Sequence, residues 1–131
     1  MSDPSTTQLT EDECWEYLGL HQIGRLATAA GGEPEIFPLN YAVVRRAIYL
    51  RTVPGTKLVE LVVNSRVAFE VDQWGPDMAY SVVVKGTAQI LETDADLATA
   101  RATGLTSYSD TDQDVWVRVT PSEVSGRRLH R

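Results

Sequence analysis

The chain has 131 residues, of which 43% are hydrophobic and 23% charged, and its formal net charge is −6. These values are ordinary for a globular protein and exclude a disordered, collagen-like or disulfide-bonded scaffold. The acidic balance disfavours a general nucleic-acid-binding protein, which needs a basic face. No segment approaches the roughly 20 apolar residues of a membrane helix. The N-terminus has no basic start typical of a secretory signal, and Cys14 is the only cysteine, so the sequence predicts a cytoplasmic protein without membrane partners.

The first predicted element is a helix over residues 11–18. Thr10 and Glu13 have the spacing of a capping box, in which each side chain accepts a hydrogen bond from the other residue's backbone N–H. Gly19 would end the helix. Its buried side would be formed by the apolar residues Cys14, Trp15 and Leu18.

Alternating or continuous apolar runs separated by turn-forming residues predict six strands. Arg45 and Arg46 would form a tight turn between the second and third strands, and Gly86 would mark a bulge in the fifth. Thr56 and Thr93 would each begin a short helix. A polar loop is expected at residues 105–114. The strands are expected at residues 24–29, 35–44, 47–52, 66–72, 79–91 and 115–120.

This order of elements predicts a mainly β protein with short helices, folded as a single domain over residues 9–131. Most connections are too short for parallel crossovers, so neighbouring strands should be antiparallel. Six strands in so small a domain usually close into a barrel, because closure removes exposed edges. Residues 1–8 precede the first predicted element, and we expect them to be mobile.

The turn after the third strand concentrates cations and hydroxyl groups. Arg51 and Thr52 end the strand, a Pro-Gly pair follows, and Thr56 and Lys57 begin the next helix. A lysine in a first turn opposes the helix dipole, whereas an anion is favoured there. A phosphate would explain the lysine, since Arg51 could bind it as a planar fork and Lys57 as a point charge. The alternative is a solvated hairpin end with incidental charges, and the residues alone leave both interpretations open.

Further features also have two interpretations each. Pro38 removes a backbone donor from a strand, which is typical of an edge strand but can also leave a neighbouring backbone group for a ligand. Trp74 and Trp116 could stack on a flat ring, or pack in the core or an interface. The basic C-terminus is either a solvated tail or a segment that reaches a ligand or a partner subunit; its arginines are Arg118, Arg127, Arg128 and Arg131.

Several types of chemistry lack their usual sequence signals. His21 and His130 have no second metal-type ligand at a recognised spacing, so no metal site is predicted. A nucleophile elbow, a Walker phosphate loop and a Rossmann fingerprint are also missing from the sequence. Hydrolase activity is therefore not supported.

Six segments, in order along the chain, resemble the FMN-binding split-barrel family related to pyridoxamine 5'-phosphate oxidase. A looser match continues through residues 115–128. The segments are GRLAT at 24–28, IFPLNY at 36–41, IYLRT at 48–52, GTKL at 55–58, VAFEVD at 67–72 and SVVVKGTA at 81–88. The resemblance implies a six-stranded antiparallel split barrel that forms a homodimer with two FMN sites at its interface.

The resemblance also implies roles for individual residues. Ser81 would meet the flavin from the other subunit. Arg127 is a candidate for contacts with the substrate or the second subunit, because the segment 126–130 loosely resembles the substrate-binding tail of pyridoxamine phosphate oxidases. Trp74 and Trp116 are candidates for the same contacts on the nature of their side chains alone. The isoalloxazine ring system would lie along Pro38, Leu39, Asn40 and Tyr41, largely on backbone atoms. The phosphate would be bound by Arg51, Thr52, Thr56 and Lys57, the same cluster that the charge argument indicates.

The function implied is an FMN-dependent oxidoreductase that transfers a hydride between the flavin and a small unidentified substrate. No residue stands out as a general base, so no catalytic residue is assigned. Much of the substrate-binding sequence of pyridoxamine phosphate oxidases has no counterpart, and that reaction itself is not predicted. One alternative is a reductase using the deazaflavin coenzyme F-420, whose acidic tail would need a basic groove from Arg45, Arg46 and the C-terminal arginines. The other alternative is a flavin-binding module without turnover.

Overall fold

The computed structural model describes residues 5–62, 65–106 and 114–130. Within these ranges the chain forms seven strands and three short helices. The helices are α1 Glu11–Leu18, α2 Lys57–Leu61 and α3 Asp94–Arg101. The strands are β1 Thr6–Gln8, β2 Ile23–Thr28, β3 Glu35–Val44, β4 Ala47–Thr52, β5 Arg66–Trp74, β6 Met78–Ile90 and β7 Val115–His130.

Six of the strands close into an antiparallel barrel in the order β7-β4-β3-β2-β5-β6, with β6 pairing back onto β7. Closure depends on β7, which is 16 residues long. Its first half lies between two strands, since Val117 pairs with both Leu50 of β4 and Ile90 of β6. Its second half continues along β6 and carries β1 on its other edge. The predicted mainly β fold with a six-stranded antiparallel barrel is therefore confirmed, with β1 as an additional strand.

The long β6–β7 pair changes register at Gly86. A Cβ atom on Gly86 would lie 2.1 Å from the backbone oxygen of Thr120. No side chain fits at that distance, so the close approach of the two strands requires glycine. An irregularity near Gly86 is confirmed, but the extra residue is Ser122 of β7 and not a residue of the strand that contains Gly86.

The barrel interior is filled by the inward-facing residues of each strand. On β5 the alternation places Val67, Phe69 and Val71 inside. The ring of Phe69 occupies the space above Gly24 of β2, where a Cβ atom would lie 2.2 Å from the ring. Helix α1 packs against β6 and β7. A second, smaller cluster, which includes α3, is formed by Tyr49, Leu91, Ala100 and Trp116.

Local signals in the sequence locate several elements to the residue. Helix α1 and strands β3 and β4 have the predicted bounds. The capping box forms, with Glu13 N donating to Thr10 Oγ1 at 3.2 Å and Thr10 N donating to Glu13 Oε1 at 3.0 Å. Arg45 and Arg46 form the predicted turn with φ values of 48° and 58°, which are the left-handed values that a two-residue hairpin requires.

The C-terminal segment differs from the prediction. The prediction that the last strand ends at residue 120 is wrong, because β7 continues to His130. Of the two interpretations left open for the basic C-terminus, a tail without regular structure therefore does not hold for residues 121–130. This part of the strand could not be predicted from the sequence, because it contains residues of low strand propensity: Pro121, Ser122 and Gly126. Pairing along β6 holds the segment in place and overrides local propensity.

Residues 1–4, 63–64, 107–113 and 131 lie outside the described ranges. The predicted loop at 105–114 is therefore described only at its two ends. Residues 6–8 pair with β7 as β1, while the mobility of residues 1–8 and the domain extent of 9–131 stay predictions. Of the helices in the described ranges, none has the length and apolar character needed to span a membrane.

Candidate cofactor-binding site

A cavity of about 330 Å³ opens beside β3 and the end of β4. Part of its wall is apolar, and the rest carries one guanidinium, one amide and two hydroxyl groups. Such a lining suits a ligand with a flat apolar part and an anionic part. The lining residues are Ile23, Pro38, Leu39, Asn40, Arg51, Thr52, Val53 and Thr106.

The pairing pattern of β3 explains why the cavity lies there. Strand β2 pairs with β3 from Glu35 to Asn40, whereas β4 pairs with β3 only from Tyr41 to Val44. The first part of β3 therefore has one strand neighbour, and its other edge is turned towards the cavity. Pro38 lies in this one-sided part, where its missing N–H removes no ladder hydrogen bond. The two interpretations of Pro38 are therefore compatible, because the unpaired edge of β3 on which it lies is also the edge that faces the cavity.

Arg51 provides the charge of the cavity, and its guanidinium is held by three contacts. Nε donates to Oδ2 of Asp114 at 2.8 Å, and Nη1 donates to the carbonyl oxygen of Leu105 at 2.8 Å. The guanidinium carbon lies 5.2 Å from the ring centre of Trp116. The Asp114 side chain is only 1% exposed. The ion pair is therefore screened little by water, and its charges act more strongly than those of a surface pair.

A second cavity, of about 430 Å³, also borders Arg51. It is more polar than the first. Its lining residues are Arg51, Arg101, Leu105, Asp114 and Trp116. The guanidinium thus borders two cavities of different chemistry.

Thr52 also lines the first cavity, whereas the predicted phosphate ligands Thr56 and Lys57 lie at the start of α2, outside its lining. Thr56 is the N-cap residue but makes no capping hydrogen bond, and its Oγ1 lies 3.3 Å from Oγ1 of Thr52. Lys57 Nζ donates to Oε1 of Glu35, and 59% of the lysine side chain is exposed. Because α2 has only five residues, its dipole contributes little, and an anion here would depend on side chains.

Tyr41 is separated from the other residues predicted along the ring system. Its side chain is buried, and its hydroxyl donates to the carbonyl oxygen of Leu18. Its ring packs edge-on against Phe69, with centroids 4.8 Å apart. Burial raises the pKa of Tyr41. The structure therefore places Pro38, Leu39 and Asn40 at the cavity and the side chain of Tyr41 in the core.

Ser81 and Arg127 lie together on the barrel wall and are not lining residues of this cavity. They are direct partners on β6 and β7. Trp74, at the end of β5, is 67% exposed and shares the outer face of the barrel with them. Trp116 differs from Trp74, since it is buried in the cluster that includes α3. The structure thus brings Ser81, Arg127 and Trp74 onto one exposed face and separates Trp116 from them.

The first cavity has no acid–base group of the usual kind among its described lining residues. Its one ionisable side chain there is Arg51, which stays protonated in proteins. Redox chemistry in this place would have to come from a bound cofactor. Among the described residues, no three His, Cys, Asp or Glu side chains are grouped so that they could hold a metal ion, and the metal prediction stays a prediction.

The sequence analysis does not identify several residues of this region. Ile23, Val53 and Thr106 line the cavity without any recognisable motif. Asp114 is 63 positions from Arg51 in the chain, and no local pattern links two such residues. Glu35 starts β3, and its pairing with Lys57 depends on where α2 packs. These contacts become visible only in the folded structure.

Comparison with known proteins gives the family. The family model described as pyridoxamine 5'-phosphate oxidase matches residues 10–128. An FAD-binding protein from Mycobacterium smegmatis has 38% identity and a TM-score of 0.89, covering 95% of this chain and 99% of its own. An FAD-binding protein from Mesorhizobium loti has 30% identity and a TM-score of 0.81, covering 96% and 98%.

A sequence relative gives the same level of similarity. An uncharacterized protein of Mycobacterium tuberculosis is 39% identical over 84 residues, which are 64% of this chain and 76% of that protein. The resemblance noted from the six sequence segments is confirmed by the family match and by the shared barrel. The chain belongs to the pyridoxamine 5'-phosphate oxidase family.

Proposed function

We propose that this protein binds a flavin nucleotide in the cavity beside β3 and β4 and acts as an oxidoreductase on a small substrate. The observation that carries the proposal is the lining of that cavity, in which Pro38 and Leu39 adjoin Arg51 and Thr52. An isoalloxazine ring system is flat and largely apolar, and a flavin nucleotide carries phosphate, so each part has a matching wall. The two FAD-binding relatives support the same ligand class.

The residues of the chain would bind and orient this cofactor. The backbone of β3 from Pro38 to Asn40 would lie along the ring system. Arg51 and the hydroxyl of Thr52 would donate to phosphate oxygens. Lys57 could turn from Glu35 towards the phosphate, because most of its side chain is exposed. The bound flavin would supply hydride chemistry, while the protein supplies position and electrostatics.

FMN and FAD are the two candidate forms of the flavin. FMN follows from the resemblance of the sequence to FMN-binding split barrels. FAD is favoured by the two relatives and by the second cavity at Arg51, which offers space beyond a first phosphate. The deazaflavin F-420 fits less well, because arginines considered for its acidic tail are paired with α1. Arg46 lies 2.5 Å from Asp12, and Arg128 lies 3.1 Å from Glu13.

We also propose that the protein is a homodimer in which Ser81 and Arg127 of one subunit reach the flavin of the other. Both residues lie on the outer face of the barrel, which also exposes Trp74. Ile23 and Ile36 are 60% and 63% exposed on β2 and β3. Apolar exposure of this kind is typical of an interface. Sedimentation at micromolar concentration should give a dimer, and a monomer that binds flavin would contradict the shared site.

A titration tests the flavin proposal. The purified protein, stripped of ligand, is titrated with FMN, FAD and F-420 while flavin fluorescence and absorbance are recorded. We expect saturable binding of a flavin. Lys57→Ala should weaken binding of the preferred flavin roughly ten- to hundredfold, since a charge-assisted contact is worth about 1.5–3 kcal/mol.

The chain supplies its own control for this experiment. Lys85, on β6, is the only other lysine, and Lys85→Ala should leave the affinity unchanged. Binding by Lys57→Ala as tight as that of the native protein would remove Lys57 from the site. No binding of any flavin by the native protein would refute the proposal as a whole.

A flavin-binding protein without turnover is the second candidate function. It is favoured by the lack of an acid–base side chain among the described lining residues of the cavity. Anaerobic photoreduction of the flavin-loaded protein, followed by a panel of electron acceptors, separates the two functions. An oxidoreductase should reoxidise faster with a specific acceptor than free flavin does, and a binding module should not.

A further inference from the structure

We propose that Asp114 is a specificity-determining residue of the cofactor site. The negative charge of Asp114 lies next to Arg51 and repels any phosphate that Arg51 binds. This repulsion disfavours a doubly charged terminal phosphate more than a singly charged phosphate within a diester or pyrophosphate. The inference rests on the proposed flavin site and concerns which flavin nucleotide that site accepts. Asp114 therefore lowers the affinity for FMN relative to the affinity for FAD.

The first step is the position of the carboxylate. Oδ2 of Asp114 lies 2.8 Å from Nε of Arg51, and the Asp114 side chain is 1% exposed. Salt and water screen buried charges much less than exposed ones. The negative charge of Asp114 is therefore felt by any ligand that Arg51 binds.

The second step is that ligand and carboxylate can bind Arg51 at the same time. A guanidinium has five N–H donors. Asp114 takes the donor at Nε, and the Leu105 carbonyl takes one at Nη1. Arg51 makes no further hydrogen bond to the part of the chain that is described here, so other donors remain for a ligand in the cavity that it lines. A phosphate bound there would not displace Asp114 and would stay close to its charge.

The third step compares the charges of the two ligands. The terminal phosphate of FMN is a monoester, which carries nearly two negative charges at pH 7 because its second pKa is about 6. The FAD pyrophosphate carries about the same total charge, but as one charge on each of two phosphates, so only one of the two charges lies next to Arg51. Repulsion by Asp114 grows with the charge of the phosphate next to Arg51. It therefore weakens the binding of FMN more than that of FAD.

The fourth step is why a buried ion pair is present at all. Desolvation offsets most of the attraction within such a pair, so it adds little to stability compared with apolar residues of similar volume. Arg51 borders both cavities, and Asp114 borders the second one. Adjusting the charge presented to a ligand is a role that apolar side chains could not perform.

The test is Asp114→Asn, which removes the charge but keeps an oxygen that can accept from Nε of Arg51. Dissociation constants for FMN and FAD are measured for native and variant protein at one pH and one ionic strength. We expect the variant to bind FMN about tenfold more tightly and FAD about three- to fivefold more tightly, because the second FAD phosphate is repelled from a greater distance. The ratio of the two constants should therefore shift about two- to threefold towards FMN.

Asp96→Asn is the matched control. Asp96 pairs with Arg118 at 3.0 Å and lines neither cavity, so its removal should leave the ratio unchanged. If Asp114→Asn fails to fold, as judged by circular dichroism, Asp114→Ser removes the same charge with a smaller side chain and should shift the ratio in the same direction.

The possible outcomes are distinct. A ratio that does not change in a folded Asp114 variant overturns the inference, and so does an equal loss of affinity for both flavins, which would indicate a purely structural role. Absence of flavin binding in the native protein would instead refute the proposed function.

Discussion

Arg51 and Arg128 lie in two different parts of the molecule but have nearly the same surroundings. Each guanidinium lies over an aromatic ring, 5.2 Å from the centre of Trp116 and 5.7 Å from the centre of Tyr17. Each arginine also pairs with one carboxylate, and each side chain is 23% exposed. By these contacts alone the two arginines would be assigned the same role.

The difference between the two regions lies in the partner carboxylate and in what adjoins it. Asp114 is 1% exposed and borders a cavity, whereas Glu13 is 37% exposed and belongs to the capping box of α1. The same arrangement therefore presents a charge to a cavity in one region and ties a helix to β7 in the other. An arginine stacked on an aromatic ring is not by itself evidence of a ligand site. Arg51 is assigned to a ligand site, and Arg128 is not, because Arg51 lines the two cavities described above and Arg128 lines neither of them.

The largest effect expected from this comparison follows from removing Arg51. Arg51→Ala takes away the cation 2.8 Å from a buried carboxylate. Removing the partner of a buried polar group costs about 1–3 kcal/mol, because Asp114 loses the hydrogen bond from Arg51 Nε without gaining full access to water. We expect a loss of that size in the free energy of unfolding, measured by urea denaturation at pH 7.

The double variant Arg51→Ala/Asp114→Ala provides the control for this prediction. It leaves no charge of the pair behind and should recover most of the lost stability. A loss below about 1 kcal/mol in the single variant would show that the pair behaves like a surface pair. The contrast between the two arginines would then disappear.

A smaller effect is expected at Arg128. Its pair with Glu13 is partly exposed, and such pairs contribute about 0–1 kcal/mol. Arg128→Ala should therefore lower the free energy of unfolding by no more than about 1 kcal/mol, and the dissociation constant of the bound flavin should change less than twofold. A tenfold loss of flavin affinity would place Arg128 in the cofactor site and break the comparison.

The sequence predicted those parts of the fold and the site that depend on local pattern. The bounds of α1, β3 and β4 follow from a capping box, from strand alternation and from a two-residue turn. That turn, at Arg45 and Arg46, also fixes the register of β3 against β4. Because the register is fixed, residues of both strands that the resemblance assigned to one ligand lie at one cavity: Pro38, Leu39, Asn40, Arg51 and Thr52.

The parts that the sequence did not predict depend on partners distant in the chain. Residues beyond position 120 have poor strand propensity, and β6 holds them as a strand nonetheless. Asp114 lies in a polar segment, and its role depends on its ion pair with Arg51, which is 63 positions away in the chain. The environment of Tyr41 was hidden for the same reason, since its hydroxyl binds a carbonyl of α1. Such contacts are set by barrel closure and leave no local signal.

The smallest expected effect concerns the acid stability of the Arg128 region. The backbone N–H of Thr10 lowers the pKa of Glu13, and Arg128 lowers it further. A carboxyl group whose pKa is lower in the folded state stabilises the protein above its unfolded pKa of about 4.3, and this contribution is lost as the pH falls through the folded value. Urea denaturation should therefore show stability falling more steeply below about pH 4.3 in the native protein than in Glu13→Gln. Glu16→Gln, on the same helix, should keep the native pH dependence. An identical pH dependence in the native protein and in Glu13→Gln would mean that neither Thr10 nor Arg128 stabilises the ionised form of Glu13. The role assigned to the Arg128–Glu13 pair would then be wrong.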